Sequence, residues 1–309
     1  MSVAIDVHQH LWPQTLLAAL ARRRRAPLLR RDGERGWILR IDGEPEWPVD
    51  PADHDPALRA RLLGADGLDL ALVALSSPLG IEALPPDEAG GLIAAYHEGV
   101  GDLPQGLRAW ASAGLAEPDP VALAHQLDGG LVGLCLPAGA LSGAEGVERC
   151  ATLLALLEER GRPLFVHPGS APWARCAPGG EGMPSWWPAL TAYVTQMQAA
   201  WLAFRIWARP AHPRLRVCFA MLAGLAPLQA EWLGSRGQDS DARDRHAFYD
   251  TSSYGPRAIA AMAAAVGADA LVHGSDRPVV SPAAPSAHDH HPTRVGNPSR
   301  LLAPQEALA

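Results

Sequence analysis

The sequence predicts an α/β protein, a (β/α)8 TIM barrel that carries a small β-hairpin insertion after its first strand. Three observations predict it. Eight short apolar runs alternate with stretches of helical periodicity. The 309 residues, 48% of them hydrophobic, suffice for one barrel-sized core. Histidines and a carboxylate fall at the ends of these runs, where a barrel gathers its active site.

The first strand is the run IDVHQH at 5–10, and side-chain alternation puts His8 and His10 on one face. An irregular stretch follows, in which GWILRIDGEPEWPV (36–49) reads as a hairpin turning at Asp42-Gly43. A helix is expected at 56–65, then the strand LDLALVALSS (68–77). Helix 86–100 leads to LRAWASAGL (107–115), and helix 119–128 to LVGLCLPA (131–138). Helix 145–161 precedes PLFVHPG (163–169), and helix 186–209 precedes RLRVCFAM (214–221). Helix 225–236 precedes AFYDTSSYG (247–255), and helix 256–266 precedes ALVHGSDRP (270–278). Such near-continuous apolar runs suit a parallel sheet covered on both faces, and eight of them close a barrel. No repeat or low-complexity linker divides the chain, so 1–309 is expected to be a single domain. The segment 281–296, rich in Pro, Ser, Ala and His, is expected to be loosely ordered up to NPSRLL (297–302).

Composition removes several function classes. No window has the roughly 18 uninterrupted apolar residues of a membrane span. Asp6 and the histidines interrupt the first apolar run, and Arg22 to Arg25 follow it rather than precede it, which is not a secretory pattern. A soluble, cytoplasmic protein without membrane partners is expected. A formal charge of −7 argues against nucleic acid as a partner. The run RRRR at 22–25 reads as a solvated helix face or loop. Cys135, Cys150, Cys176 and Cys218 form no C-x-x-C pair and read as reduced thiols. All 26 basic residues are arginine, which excludes a lysine Schiff base, a Walker-type lysine and a carboxylated lysine bridging two metals.

His8 and His10 end the first strand, His167 the fifth and Asp276 the eighth. In a closed barrel the first strand lies beside the eighth, and the fifth faces them across the mouth. Three imidazoles and a carboxylate can therefore converge, a donor set suited to one divalent metal with a position left open for water. The pieces DVHQHLWP, LFVHPG, YDTSSYGP, HGSDRP and NPSRLL span nearly the whole chain in order. Together they resemble the metal-dependent amidohydrolase superfamily, in its amidohydrolase-related branch, which is similar to aminocarboxymuconate-semialdehyde decarboxylase. The resemblance implies that His8, His10, His167 and Asp276 hold one divalent ion, zinc first, with manganese, iron or cobalt as alternatives. It implies that Asp276 handles the proton of the activated water, that the hairpin at 36–49 is the branch's insertion, and that the chain forms a homodimer. One departure stands out: Met221 occupies the place of the histidine that ends the sixth strand in that family. A thioether cannot carry a proton at neutral pH. His290 and His291, in AHDHH (287–291), are the candidates to replace it.

Around this set, Trp12, Trp173, Trp186 and Trp187 are expected to line an aromatic or apolar pocket, with Met221 in its wall. Arg277 and Arg175 are candidate anchors for a substrate carboxylate. His54, His97 and His125 are expected at the surface, His212 and His246 on the far face of the barrel, and His273 packed inside the last strand. The leading expectation is a hydrolase of a small lactone, ester or amide, since ion-activated water with Asp276 as proton carrier needs no histidine at 221. The alternative is a non-oxidative decarboxylase, a carboxy-lyase, of an aromatic or unsaturated acid. A non-catalytic metal- or ligand-binding barrel is the third. Each takes a small molecule as partner.

Overall fold

The computed structural model describes residues 3–33, 36–174, 184, 186–280 and 292–303. Arg175, Cys176, His290, His291 and the segment 281–291 lie outside the described residues. In chain order the strands are β1 (Ile5–His10), β2 (Leu28–Asp32), β3 (Gly36–Arg40), β4 (Trp47–Val49), β5 (Leu70–Ala74) and β6 (Leu107–Ala109). They continue as β7 (Leu134–Pro137), β8 (Leu164–His167), β9 (Val217–Phe219), β10 (Ala247–Asp250) and β11 (Leu271–Val272).

Eight of these strands are parallel and fall into two sheets, β1-β5-β6 and β11-β10-β9-β8-β7. Two seams join the sheets. At one, the Val7 N–H donates to His273 O and the Asp276 N–H to His8 O, both at 2.9 Å. At the other, the Ala111 N–H donates to Gly133 O and the Cys135 N–H to Ala111 O, both at 2.8 Å. The eight strands thus run round a closed ring. Gly133 is required at the second seam, because a Cβ there would fall on the Pro163 carbonyl oxygen and against the Trp110 ring. Inside the ring, Trp110 is fully buried, donates from Nε1 to Val7 O at 3.1 Å and stacks on Phe165. Strands β7 to β10 are buried along their whole length, which is why their sequences are apolar without alternation.

The helices Pro56–Ala65, Pro86–Val100 and Pro256–Val266 coincide with the periodic stretches. Each begins with proline, whose missing N–H costs nothing in the first turn. Asp55 caps the first and Asp119 caps Pro120–Asp128 by accepting backbone N–H groups. Elsewhere the structure differs from expectation. The helix read at 145–161 is two, Ala144–Arg149 and Ala151–Glu159, meeting at Cys150. The one read at 186–209 is interrupted by the π-turns Ala189–Tyr193 and Phe204–Ala208. In 225–236 only Ala230–Gly234 is α-helical, because the chain leaves β9 through a left-handed turn, Met221 to Leu225, with φ between 49° and 63°. Gly224 in that turn packs so closely that a Cβ would lie 2.7 Å from Val194 O.

The stretch after β1 is not irregular. It holds the helix Gln14–Ala21, which buries Leu16, Leu17 and Leu20, and then β2. Strand β2 pairs antiparallel with β3, and β3 with β4, so the expected hairpin is a three-stranded meander. Of the segment expected to be loose, 292–296 forms a π-turn leading into the helix Asn297–Leu302. The His273 N–H and Arg294 Nη1 tie it down, donating to Thr293 O and Asp66 O respectively. Among the described residues no helix is long and apolar enough to cross a membrane.

Candidate metal centre

Strand β1 ends at the barrel mouth with His8 and His10, and β8 delivers His167 across the ring. Asp276 sits four residues past β11, held level with His8 by its own N–H at the first seam. One ligand atom from each of the four residues lies within 4.8 Å of the others, and all four residues are buried. The Nε2 atoms of His8 and His10 are 3.1 Å apart. Asp276 Oδ1 lies 3.1 Å from His10 Nε2 and 3.4 Å from His8 Nε2, yet it is buried without a well-formed hydrogen bond.

The outer ring nitrogens decide what these atoms can do. His8 Nδ1 faces Asp250 Oδ2 at 2.7 Å, His10 Nδ1 faces Ala74 O at 3.3 Å, and His167 Nδ1 faces Pro168 O at 2.9 Å. Carbonyl and carboxylate oxygens only accept, so each Nδ1 carries a proton and each Nε2 turns a lone pair inward. Three lone pairs and a carboxylate oxygen in so small a volume repel unless a cation lies among them. The donor set and its outer hydrogen bonds fit a single divalent ion with nitrogen and oxygen ligands.

Electrostatics make the same demand. Burial opposes charge on His8, but the carboxylates of Asp250 and Asp276 override it and carry its pKa up to about 9. A proton on His8 is therefore the cation this cluster holds at neutral pH when no ion is bound. Burial pushes His10 and His167 down, with neighbouring histidine charge adding to the effect on both. Burial raises Asp276, yet the charge of His8 and the close approach of His10 bring it below the ordinary carboxylate range.

His10, His167 and Asp276 form the base of a cavity of about 410 Å³. Its walls are mainly apolar: Trp12, Leu39, Ile41, Trp47, Trp186 and Met221 are among them. The meander supplies several of these, so the insertion walls the site. Trp12 is pinned by its Nε1–H, which donates to Ser76 Oγ at 3.0 Å. Tyr193 Oη donates to Glu44, also in the lining, and burial raises the Glu44 pKa. Met221 is buried, and its backbone N–H donates to Asp250 Oδ1 at 3.3 Å.

Three residues expected around the pocket are not brought to the cavity. Trp173 packs its ring under the Arg149 guanidinium, 5.1 Å away, because the loop after β8 folds back on the helix Ala144–Arg149. Arg277 is turned toward Asp66, with Nη2 2.8 Å from Oδ2. Trp187 is exposed beside Trp186. His54, expected at the surface, is instead buried on the cavity wall, and its pKa falls to about 3 through burial, then the charges of Arg59 and His10. Asp250 was missed although the motif YDTSSYG contains it; a carboxylate ending an apolar strand was the available signal. Arg59 was missed too: fully enclosed, it donates to His10 O, Gln9 Oε1 and Arg277 O, and so braces the end of β1 against the loop after β11.

No protein-family model matches the chain, and no curated protein does. Solved structures match over nearly its full length. IDCase from Metarhizium anisopliae in apo form superposes with a TM-score of 0.77 at 15% identity, covering 98% of this chain and 97% of that one. The 2,6-dihydroxybenzoate decarboxylase from Rhizobium gives 0.62 at 14% identity, covering 98% and 99%. The 5-carboxyvanillate decarboxylase from Novosphingobium aromaticivorans, complexed with manganese and 4-hydroxy-3-methoxy-5-nitrobenzoic acid, gives 0.67 at 14%, covering 97% and 96%. The chain shares their fold. The barrel read from the eight apolar runs is thus borne out.

Proposed function

We propose that the chain is a metal-dependent decarboxylase of the amidohydrolase superfamily, acting on a small aromatic or unsaturated carboxylic acid. The observation that carries this reading is the meeting of three inward Nε2 lone pairs and Asp276 at the base of an aromatic, apolar cavity. A divalent ion held by His8, His10, His167 and Asp276 supplies a Lewis acid for a substrate oxygen. Asp250 keeps His8 in the tautomer that leaves Nε2 free. Trp12 and Trp186, both in the lining, give a flat ring apolar surface to pack on. No arginine lines the cavity among the described residues, so the metal centre is the cationic partner for a substrate carboxylate. Overall the acid loses CO₂ and one proton takes its place on carbon. Asp276 is the group we assign to carry that proton, since its Oδ1 is buried at the base of the cavity.

The decarboxylases among the structural neighbours support this reading over hydrolysis, which the sequence put first. Hydrolysis of a lactone, ester or amide stays as the second reading on one observation, Met221 on the cavity wall in place of a proton-carrying side chain. The manganese in the Novosphingobium enzyme supports testing manganese beside zinc. Elemental analysis of wild type and of a His8→Ala, His10→Ala variant comes first; about one equivalent of metal, lost in the variant, is expected. The loaded protein is then given hydroxy- and methoxybenzoates, with CO₂ release as readout, alongside lactones and esters. CO₂ release supports the proposal. Turnover of lactones or esters alone moves the assignment to hydrolysis, and a protein that takes up no metal ends both readings.

A further inference from the structure

One imidazole of the cavity stands outside the metal set. His54 ends the 3-10 turn Pro51–His54 that follows the meander and is 5% exposed. Its ring lies flat on the Trp12 indole, with centroids 4.4 Å apart and planes 16° from parallel. Its Nδ1 accepts the Trp12 backbone N–H at 3.1 Å. The neutral ring therefore carries its proton on Nε2. Among the described residues Nε2 has no hydrogen-bond partner, and His54 lines the same cavity as His10, His167 and Asp276. Trp12 is itself locked onto Ser76 Oγ, so Ser76, Trp12 and His54 form a fixed stack on the wall.

A donor in a set tautomer on a cavity wall is free to serve an acceptor that enters the cavity. Besides His54, the polar wall groups outside the metal set are carboxylates and hydroxyls, the latter from Ser76, Ser253 and Tyr193, so His54 brings the one imidazole N–H of the lining outside that set among the described residues. Glu44, Asp50 and Asp53 bring carboxylates, and the Tyr193 hydroxyl is committed to Glu44. We propose that His54 Nε2–H donates a hydrogen bond to a neutral ring oxygen of the substrate, away from its carboxylate, and is the residue that selects among acids the metal centre accepts alike. The inference rests on the decarboxylase reading above. It also supplies the cavity with an imidazole from the turn after the insertion, on a barrel whose sixth strand is followed by Met221.

The test is binding to the zinc-loaded protein, read by calorimetry, of benzoate and of 2-, 3- and 4-hydroxybenzoate. In wild type at least one hydroxybenzoate should bind about five- to tenfold tighter than benzoate, the increment of one neutral hydrogen bond. His54→Asn retains an oxygen for the Trp12 N–H but loses the distal donor. It should bring that ratio to about one, while His54→Gln, which reaches the Nε2 position, should recover part of it. A second measurement needs no variant: the His54 Nε2 resonance of ¹⁵N-labelled wild type should shift with hydroxybenzoate and not with benzoate. Equal binding of all four acids to wild type, or a preference that survives His54→Asn, overturns the role of His54 and leaves the decarboxylase reading standing. Benzoate that fails to bind the zinc-loaded protein at all removes the decarboxylase reading, and this inference with it.

Discussion

Asp250→Asn changes one atom and should disable the metal centre. Asp250 is fully buried; its Oδ2 accepts from His8 Nδ1 at 2.7 Å, and its Oδ1 accepts from the N–H groups of Ser252 at 2.7 Å and Met221 at 3.3 Å. An asparagine has only one oxygen to offer these donors. With its NH₂ toward His8, two donors face each other; with its NH₂ toward the backbone, the Ser252 and Met221 N–H groups go unpaired. Either arrangement leaves a buried donor unsatisfied, at a cost of about 1–3 kcal/mol in stability. His8 can relieve the first clash by moving its proton to Nε2, but that removes the lone pair the metal needs. Zinc affinity should therefore fall about 10–100-fold. That loss is about 1.4–2.8 kcal/mol at 1.4 kcal/mol per tenfold. The assay is a competition titration of zinc against a chromogenic chelator at pH 7, beside thermal melting of the metal-free protein. Ser252→Ala, which keeps the backbone N–H, is the control and should leave zinc affinity unchanged. A folded Asp250→Asn protein that binds zinc as tightly as wild type would refute the orienting role of Asp250.

Three further outcomes follow from the same geometry. His8 is raised to about 9 against an unfolded value near 6.5, so its contribution to the metal-free protein is complete below pH 6.5 and is lost as pH rises through 9. The metal-free melting temperature should drop over that window while zinc affinity climbs about tenfold per pH unit, each ion displacing one proton; a flat affinity profile contradicts this. His97 behaves oppositely. Burial lowers it to about 4 while its Nε2 accepts the Ser112 N–H at 3.1 Å, so its contribution is complete above pH 6.5 and fades as pH falls toward 4. His97→Gln should flatten the acid limb of the melting curve, and an unchanged limb would assign that limb to other groups. Gly274→Ala would set a Cβ 2.8 Å from Asp250 Cγ and 2.9 Å from His8 Cβ. It should cost about 1–3 kcal/mol by overpacking and weaken zinc binding as well, and a variant with wild-type melting and affinity would show that the loop after β11 yields freely.

What the sequence determined by itself is what neighbouring residues decide. Period-two alternation alone puts His8 and His10 on one face of β1, and eight continuous apolar runs specify strands buried on both sides. The helices Pro56–Ala65, Pro86–Val100 and Pro256–Val266 were legible to the residue because proline starts and apolar spacing act within a turn or two. The helix Gln14–Ala21 was not, since QTLLAALA is apolar on nearly every side and shows no polar face to mark its period. The left-handed turn at Met221 to Leu225 was hidden for the reverse reason, being held by packing rather than by turn residues other than Gly224.

Only the tertiary structure could decide the pairings. His8 meets Asp250 across 242 residues, Arg277 meets Asp66 across 211, and Trp12 meets His54 across 42. Those distances collapse when the ring closes, and no local pattern encodes them. Closure turned Arg277 away from the cavity, turned His54 onto its wall, and gave three histidines the outer partners that aim their lone pairs at one point. The strand ends name which residues can meet. The closed barrel sets which nitrogen each one presents, because a tautomer depends on the acceptor that folding places beside the ring.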